Sequence, residues 1–170
     1  MGPPLRGYTE SREAAGARYP ESVERALEGE ESVMLSPIEC VKKVVECDNG
    51  RDAAGYRAIL HDDYRAYVHG KEHSVGAEAE VATIEAWWKA ASDVHLEILD
   101  VVETDGLVTL RYTLSGTNDG DLFGMPASGK KFHVENCTLL RVIDGKVQSA
   151  HRYSDTLGLM TQLGAMPGSD

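Results

Sequence analysis

From Ser36 onward the apolar residues recur first at helical spacing and later at every second position. Pro37 behind Ser36 is an N-cap followed by the first helical residue. Val41, Val44, Val45 and Cys47 then keep helical spacing until Asn49-Gly50 stops it. The pattern predicts a second helix over 52–60, a short strand over 64–69 and a third helix over 76–92. That third helix carries an apolar stripe of Ala79, Ala82, Ile84, Ala86, Trp87 and Ala90. Of its two tryptophans, one is expected to be buried and the other exposed, with Trp87 a candidate for a pocket mouth. Beyond it the period drops to two. Strands are predicted over 96–103, 107–116, 131–143 and 146–155, joined in pairs by the hairpin signals Asp105-Gly106 and Asp144-Gly145. A short apolar helix follows Asp155. Helices followed by a run of antiparallel strands predict an α+β domain over 36–170. Residues 1–35 read as a polar arm, flexible or partly helical, with Pro20 placed to start a helix over 21–34.

The second hairpin also predicts which side chains share a face. A two-residue loop at Asp144-Gly145 sets Ile143 opposite Lys146 and Val142 opposite Val147. Counting outward without interruption, Leu140 faces Ser149, Thr138 faces His151, Asn136 faces Tyr153 and Val134 faces Asp155. The apolar face of the first strand holds Phe132, Val134, Leu140 and Val142. Asp155, Tyr153, His151, Asn136 and Thr138 are therefore expected on the inner side, near Tyr112 of the preceding strand. A bulge would invert every later residue in this count. Such a face is an apolar pocket with a few convergent polar groups, where desolvation raises the pKa of a carboxylate and makes it a stronger base. The plainer reading of Asp155 is as N-cap of the helix that follows it.

Charge narrows the partners. The net charge of −11 on 170 residues opposes nucleic acid and anionic membranes by simple repulsion. No apolar run approaches a membrane span, and the first twenty residues lack a secretory apolar region. Three cysteines without close spacing predict reduced thiols in a cytoplasmic protein. His69 and His73 frame H-G-K-E-H, which is not H-E-x-x-H, so no metal is expected. No phosphate-binding glycine motif and no G-x-S-x-G elbow occurs. Arg111 is expected opposite Asp100 as a surface cross-strand pair.

Three ordered segments, GMPASGK (124–130), RVIDGKV (141–147) and DTLGLMTQLG (155–164), resemble the SnoaL-like polyketide cyclases of the nuclear transport factor 2-like fold. The resemblance implies a cone-shaped curved antiparallel sheet packed against three helices, with the pocket between them and a homodimer as the default assembly. It also implies a cofactor-independent enzyme acting on a bulky, polyketide-like carbonyl substrate, in which Asp155 is the general acid/base for an intramolecular aldol closure. His151 and Tyr153 would position substrate or stabilise the developing oxyanion, with Asn136, Thr138, Tyr112 and Trp87 binding it. Ser149 and His151 stand where the family commonly has Glu and Trp. The alternatives are a dehydratase, isomerase or epoxide hydrolase on the same scaffold, or a non-catalytic small-molecule-binding module. An epoxide hydrolase of the limonene type needs an arginine inside the pocket, and the uninterrupted count places none there.

Overall fold

The computed structural model describes residues 34–165. Apart from its last two residues, the arm expected over 1–35, with its helix, lies outside them. Helix α1 (Pro37–Asn49) begins on a capping box: Glu39 N–H donates to Ser36 Oγ at 3.3 Å and Ser36 N–H to Glu39 Oε2 at 2.8 Å. Its buried face is Cys40, Val41, Val44, Val45 and Cys47. Helix α2 (Ala53–Ile59) is capped by Asp52. Strands β1 (Leu60–Val68) and β2 (Lys71–Val75), helix α3 (Ala77–Ala90), strands β3 (His95–Thr104), β4 (Leu107–Thr117), β5 (Lys131–Ile143) and β6 (Lys146–Ser154), and helix α4 (Thr156–Leu163) complete the described residues. Strand β2 is absent from the expectation. Apart from the exposed Val75 its residues are polar, and only Ser74 is buried, so no apolar alternation marks it.

The six strands form one sheet in the order β2-β1-β6-β5-β4-β3. It is mixed rather than wholly antiparallel, because β1 runs parallel to β6. Such a pair needs a crossover, here supplied by everything from β2 to β5. Alternation along β5 is regular: Phe132, Val134, Asn136, Thr138, Leu140 and Val142 are all buried. They pack with Tyr112, Leu110 and Val108 of β4 beneath the apolar faces of the helices. Arg111 does pair with Asp100, and also with Glu135, on the opposite, exposed face. Exposed pairs of this kind contribute little stability.

Both hairpin turns form as expected, with left-handed φ at Asp105-Gly106 and Asp144-Gly145. The register beyond the second turn does not follow the uninterrupted count. Val142 faces Val147, but Arg141 then faces Ser149, so one residue of β6 is bulged. Leu140 consequently faces Ala150, Thr138 faces Arg152 and Asn136 faces Ser154. The bulge lets β6 bury Val147 and Ala150 together, each 1% exposed. An unbroken alternation would have turned Ala150 outward.

Candidate active site

Between the helices and the inner face of the sheet lies a cavity of about 330 Å³. Its wall is mostly aliphatic and aromatic, with Val44, Leu60, Ile84, Leu96, Leu114 and Val134 among the residues lining it. Charged side chains interrupt that wall. Glu80 of α3 is 0% exposed and holds Arg152 of β6 in an ion pair, whose second contact runs from Nη1 to Oε2 at 3.4 Å. Arg152 Nη2 also reaches the Tyr64 hydroxyl at 3.3 Å, and Tyr56 donates to Glu80 Oε1 at 3.4 Å. Burial pushes the Tyr56 and Tyr64 phenols up, so both remain neutral. Burial also opposes the charge on Arg152, but the oxygens of Tyr64 and Glu80 around it more than offset this, and the guanidinium stays charged.

Asp48, near the end of α1, also lines the cavity. Its Oδ1 accepts from Trp88 Nε1 at 2.6 Å. Among the described residues no hydrogen bond engages Oδ2. Desolvation raises the Asp48 pKa; the Trp88 hydrogen bond and the charges of Arg51 and Arg152 only partly counter it. Asn136 is 5% exposed, and its buried Oδ1 has no hydrogen-bond partner among the described residues. A buried amide oxygen calls for a donor, and a ligand hydroxyl would satisfy it.

The bulge redistributes the residues predicted from sequence. Asn136, Thr138, Tyr112 and Trp87 do line the cavity. His151 and Tyr153 do not: one residue of slippage turns both to the outer face. There His151 stacks on Tyr67 at 4.5 Å, and Tyr153 meets His69 edge-on at 6.2 Å. Arg152 takes the inward place instead, so the pocket arginine that the uninterrupted count excluded is present. Asp155 stands at the cavity's rim, exposed rather than in a dry hollow, and its Oδ1 accepts from Gly158 N–H at 2.8 Å as cap of α4. A Cβ at residue 158 would lie 2.0 Å from that carboxylate, which explains the glycine three residues after the acid. Trp87 and Trp88 are both half-buried: Trp87 lines the cavity, and Trp88 is held by its hydrogen bond to Asp48. Replacing Asp155 by Ala is expected to cost about 1 kcal/mol in urea unfolding, whereas Asn, an equally good cap, costs close to nothing.

A family model described as SnoaL-like polyketide cyclase matches residues 38–163. The chain belongs to this family. It is 33% identical over 136 residues to the aklanonic acid methyl ester cyclase DnrD of Streptomyces peucetius, covering 77% of this chain and 92% of that one. To the aklanonic acid methyl ester cyclase DauD of Streptomyces sp. strain C5 it is 35% identical, covering 76% and 83%. The solved structure of TsrD from Streptomyces laurentii matches with a TM-score of 0.69 and 29% identity, over 76% of this chain and 95% of that one. This SnoaL-like chain is thus an enzyme of the polyketide cyclase type.

Three of its cavity groups escaped the sequence reading. Asp48 and Glu80 left a signal: each sits on the apolar stripe of its helix, Asp48 four residues after Val44 and Glu80 four before Ile84. A carboxylate on a buried stripe is costly unless used or paired. Arg152 left none, since its direction depends on the bulge. The terminal Q-L-G also has a structural account. Gln162 exchanges two hydrogen bonds with the His133 backbone, at 2.8 and 3.1 Å, and fastens α4 across the end of β5.

Proposed function

We propose that this SnoaL-like cyclase closes a ring in a polyketide-like substrate by proton transfer at a carbon next to a carbonyl, with Asp48 rather than Asp155 as the acid/base. The observation that carries this reading is the meeting of a desolvated carboxyl, Asp48, and a charged arginine, Arg152, on one apolar cavity. The Asp48 carboxylate takes the α-proton. The C–H electron pair becomes an enolate, whose oxygen the Arg152 guanidinium stabilises while Glu80 holds that guanidinium in place. The enolate carbon attacks a second carbonyl of the same molecule, forming the C–C bond. The resulting alkoxide recovers the proton from Asp48, leaving the enzyme unchanged. Asn136 and Thr138 orient hydroxyl and carbonyl groups of the substrate, and Trp87 packs against its rings.

Purified enzyme is expected to convert aklanonic acid methyl ester, the substrate in the relatives' names, to a ring-closed isomer of identical mass, followed by chromatography and absorbance. A rate no faster than in buffer, for this and for nogalonic acid methyl ester, would count against cyclisation. One observation favours a second reading, epoxide hydration: Asp48 lies in the fields of both Arg152 and Glu80, so an arginine lies near two carboxylates. That chemistry would add the mass of water to an epoxide substrate.

A further inference from the structure

The loop between β4 and β5 holds a residue whose presence the free protein does not explain. The feet of the loop are pinned by Asn118, 2% exposed, whose side chain donates to Gly120 O at 2.7 Å and accepts from Ser128 N–H at 2.8 Å. At its tip, Leu122 and Met125 exchange backbone hydrogen bonds at 2.8 and 3.0 Å across a two-residue turn. The turn residues, Phe123 and Gly124, have φ of +51° and +90°. Such a turn favours Asn-Gly, because both central residues are left-handed, and a bulky L-residue is strained there. Burial does not offset that strain, for Phe123 is 58% exposed. Yet its ring lines the cavity and meets Trp87 edge-to-face, with centroids 5.7 Å apart and planes at 79°.

Strain without burial, at the edge of a binding cavity, points to a residue kept for what it touches in the complex. We infer that Phe123 and Trp87 form an aromatic clamp at the cavity mouth that selects ligands presenting a planar aromatic ring over saturated ligands of the same shape. The ring of the ligand covers the exposed face of Phe123, adding the aromatic contact and burying surface that water now wets. This inference rests on the cavity being the ligand site, as proposed above, but not on the identity of the acid/base.

The test uses calorimetric titration of the full chain with 2-naphthol and with its saturated counterpart decahydro-2-naphthol, together with the melting temperature of the ligand-free protein. The wild type is expected to prefer 2-naphthol. Phe123→Asn, which suits the left-handed turn, is expected to weaken 2-naphthol binding about threefold to tenfold. It should leave decahydro-2-naphthol nearly unchanged and keep or raise the melting temperature by about 2–4 °C. Phe123→Leu retains bulk and strain, and is expected to lose the aromatic preference without gaining stability. Unchanged 2-naphthol binding in both variants, equal weakening for both ligands, or a lower melting temperature in Phe123→Asn would each overturn the clamp alone. Failure of the wild type to bind either ligand would overturn the cavity reading and the clamp with it.

Discussion

Arg152→Met is expected to remove turnover and to destabilise the fold by about 3–5 kcal/mol, because it leaves Glu80 buried without its counter-charge. For a domain of this size that is roughly 10–20 °C in melting temperature. The double variant Glu80→Leu/Arg152→Met separates fold from chemistry, since a buried ion pair replaced by apolar groups of similar size is often neutral or stabilising. It is expected to melt near the parent temperature yet remain at least about a hundredfold less active, the usual loss when one oxyanion donor is removed. Thermal unfolding and turnover on the same preparations decide the matter. A double variant that recovers both stability and turnover would make Arg152 a structural group and nothing more.

Where the fold was legible in the sequence, the reason was local chemistry. Ser36-Pro37 started α1, Asn49-Gly50 stopped it, and the two Asp-Gly pairs placed both hairpins. Strict alternation along β5 identified its inner face, and Asn136 and Thr138 with it. Where the sequence misled, the cause was a longer-range balance. Nothing in K-V-Q-S-A-H-R-Y-S states that one residue is extruded from the ladder. The bulge follows from packing Val147 and Ala150 together against the core. That single event exchanged His151 and Tyr153 for Arg152. The parallel pairing of β1 with β6 was equally silent, because it depends on where a distant crossover returns.

The site divides along the same line. Its apolar wall and the amide of Asn136 follow from period and register. Its charged end does not, since Asp48, Glu80 and Arg152 come from α1, α3 and β6 and meet only in the folded chain. Two of the three were marked by carboxylates on apolar stripes. A stripe-by-stripe search for misplaced charge would have raised them as candidates, with Asp155 as one cap among several.

Asp48→Asn is the sharpest discriminator among these carboxylates, because fold and function are expected to move in opposite directions. Burial lifts the Asp48 pKa above its unfolded value, so the folded state holds that proton more tightly. Stability contributed by the protonated form is therefore lost as pH rises from the unfolded value, about 3.9, through the folded one; above that the desolvation cost of the carboxylate is complete. Asparagine carries no charge, and its oxygen can still accept from Trp88 Nε1. At neutral pH the variant is expected to be more stable than the parent, and the difference should fade in acid as the parent's carboxyl protonates. Turnover is expected to fall by about 10²–10⁴. On the proposed mechanism, in which the Asp48 carboxylate is the base, the parent rate should rise with pH through its raised pKa, and the variant should lack that limb. Asp155→Asn, which retains the α4 cap, is expected to leave both stability and the pH profile in place. If instead Asp155→Asn abolishes turnover while Asp48→Asn retains it, proton transfer belongs to the exposed acid at the rim, and the buried carboxyl only anchors Trp88 to α1.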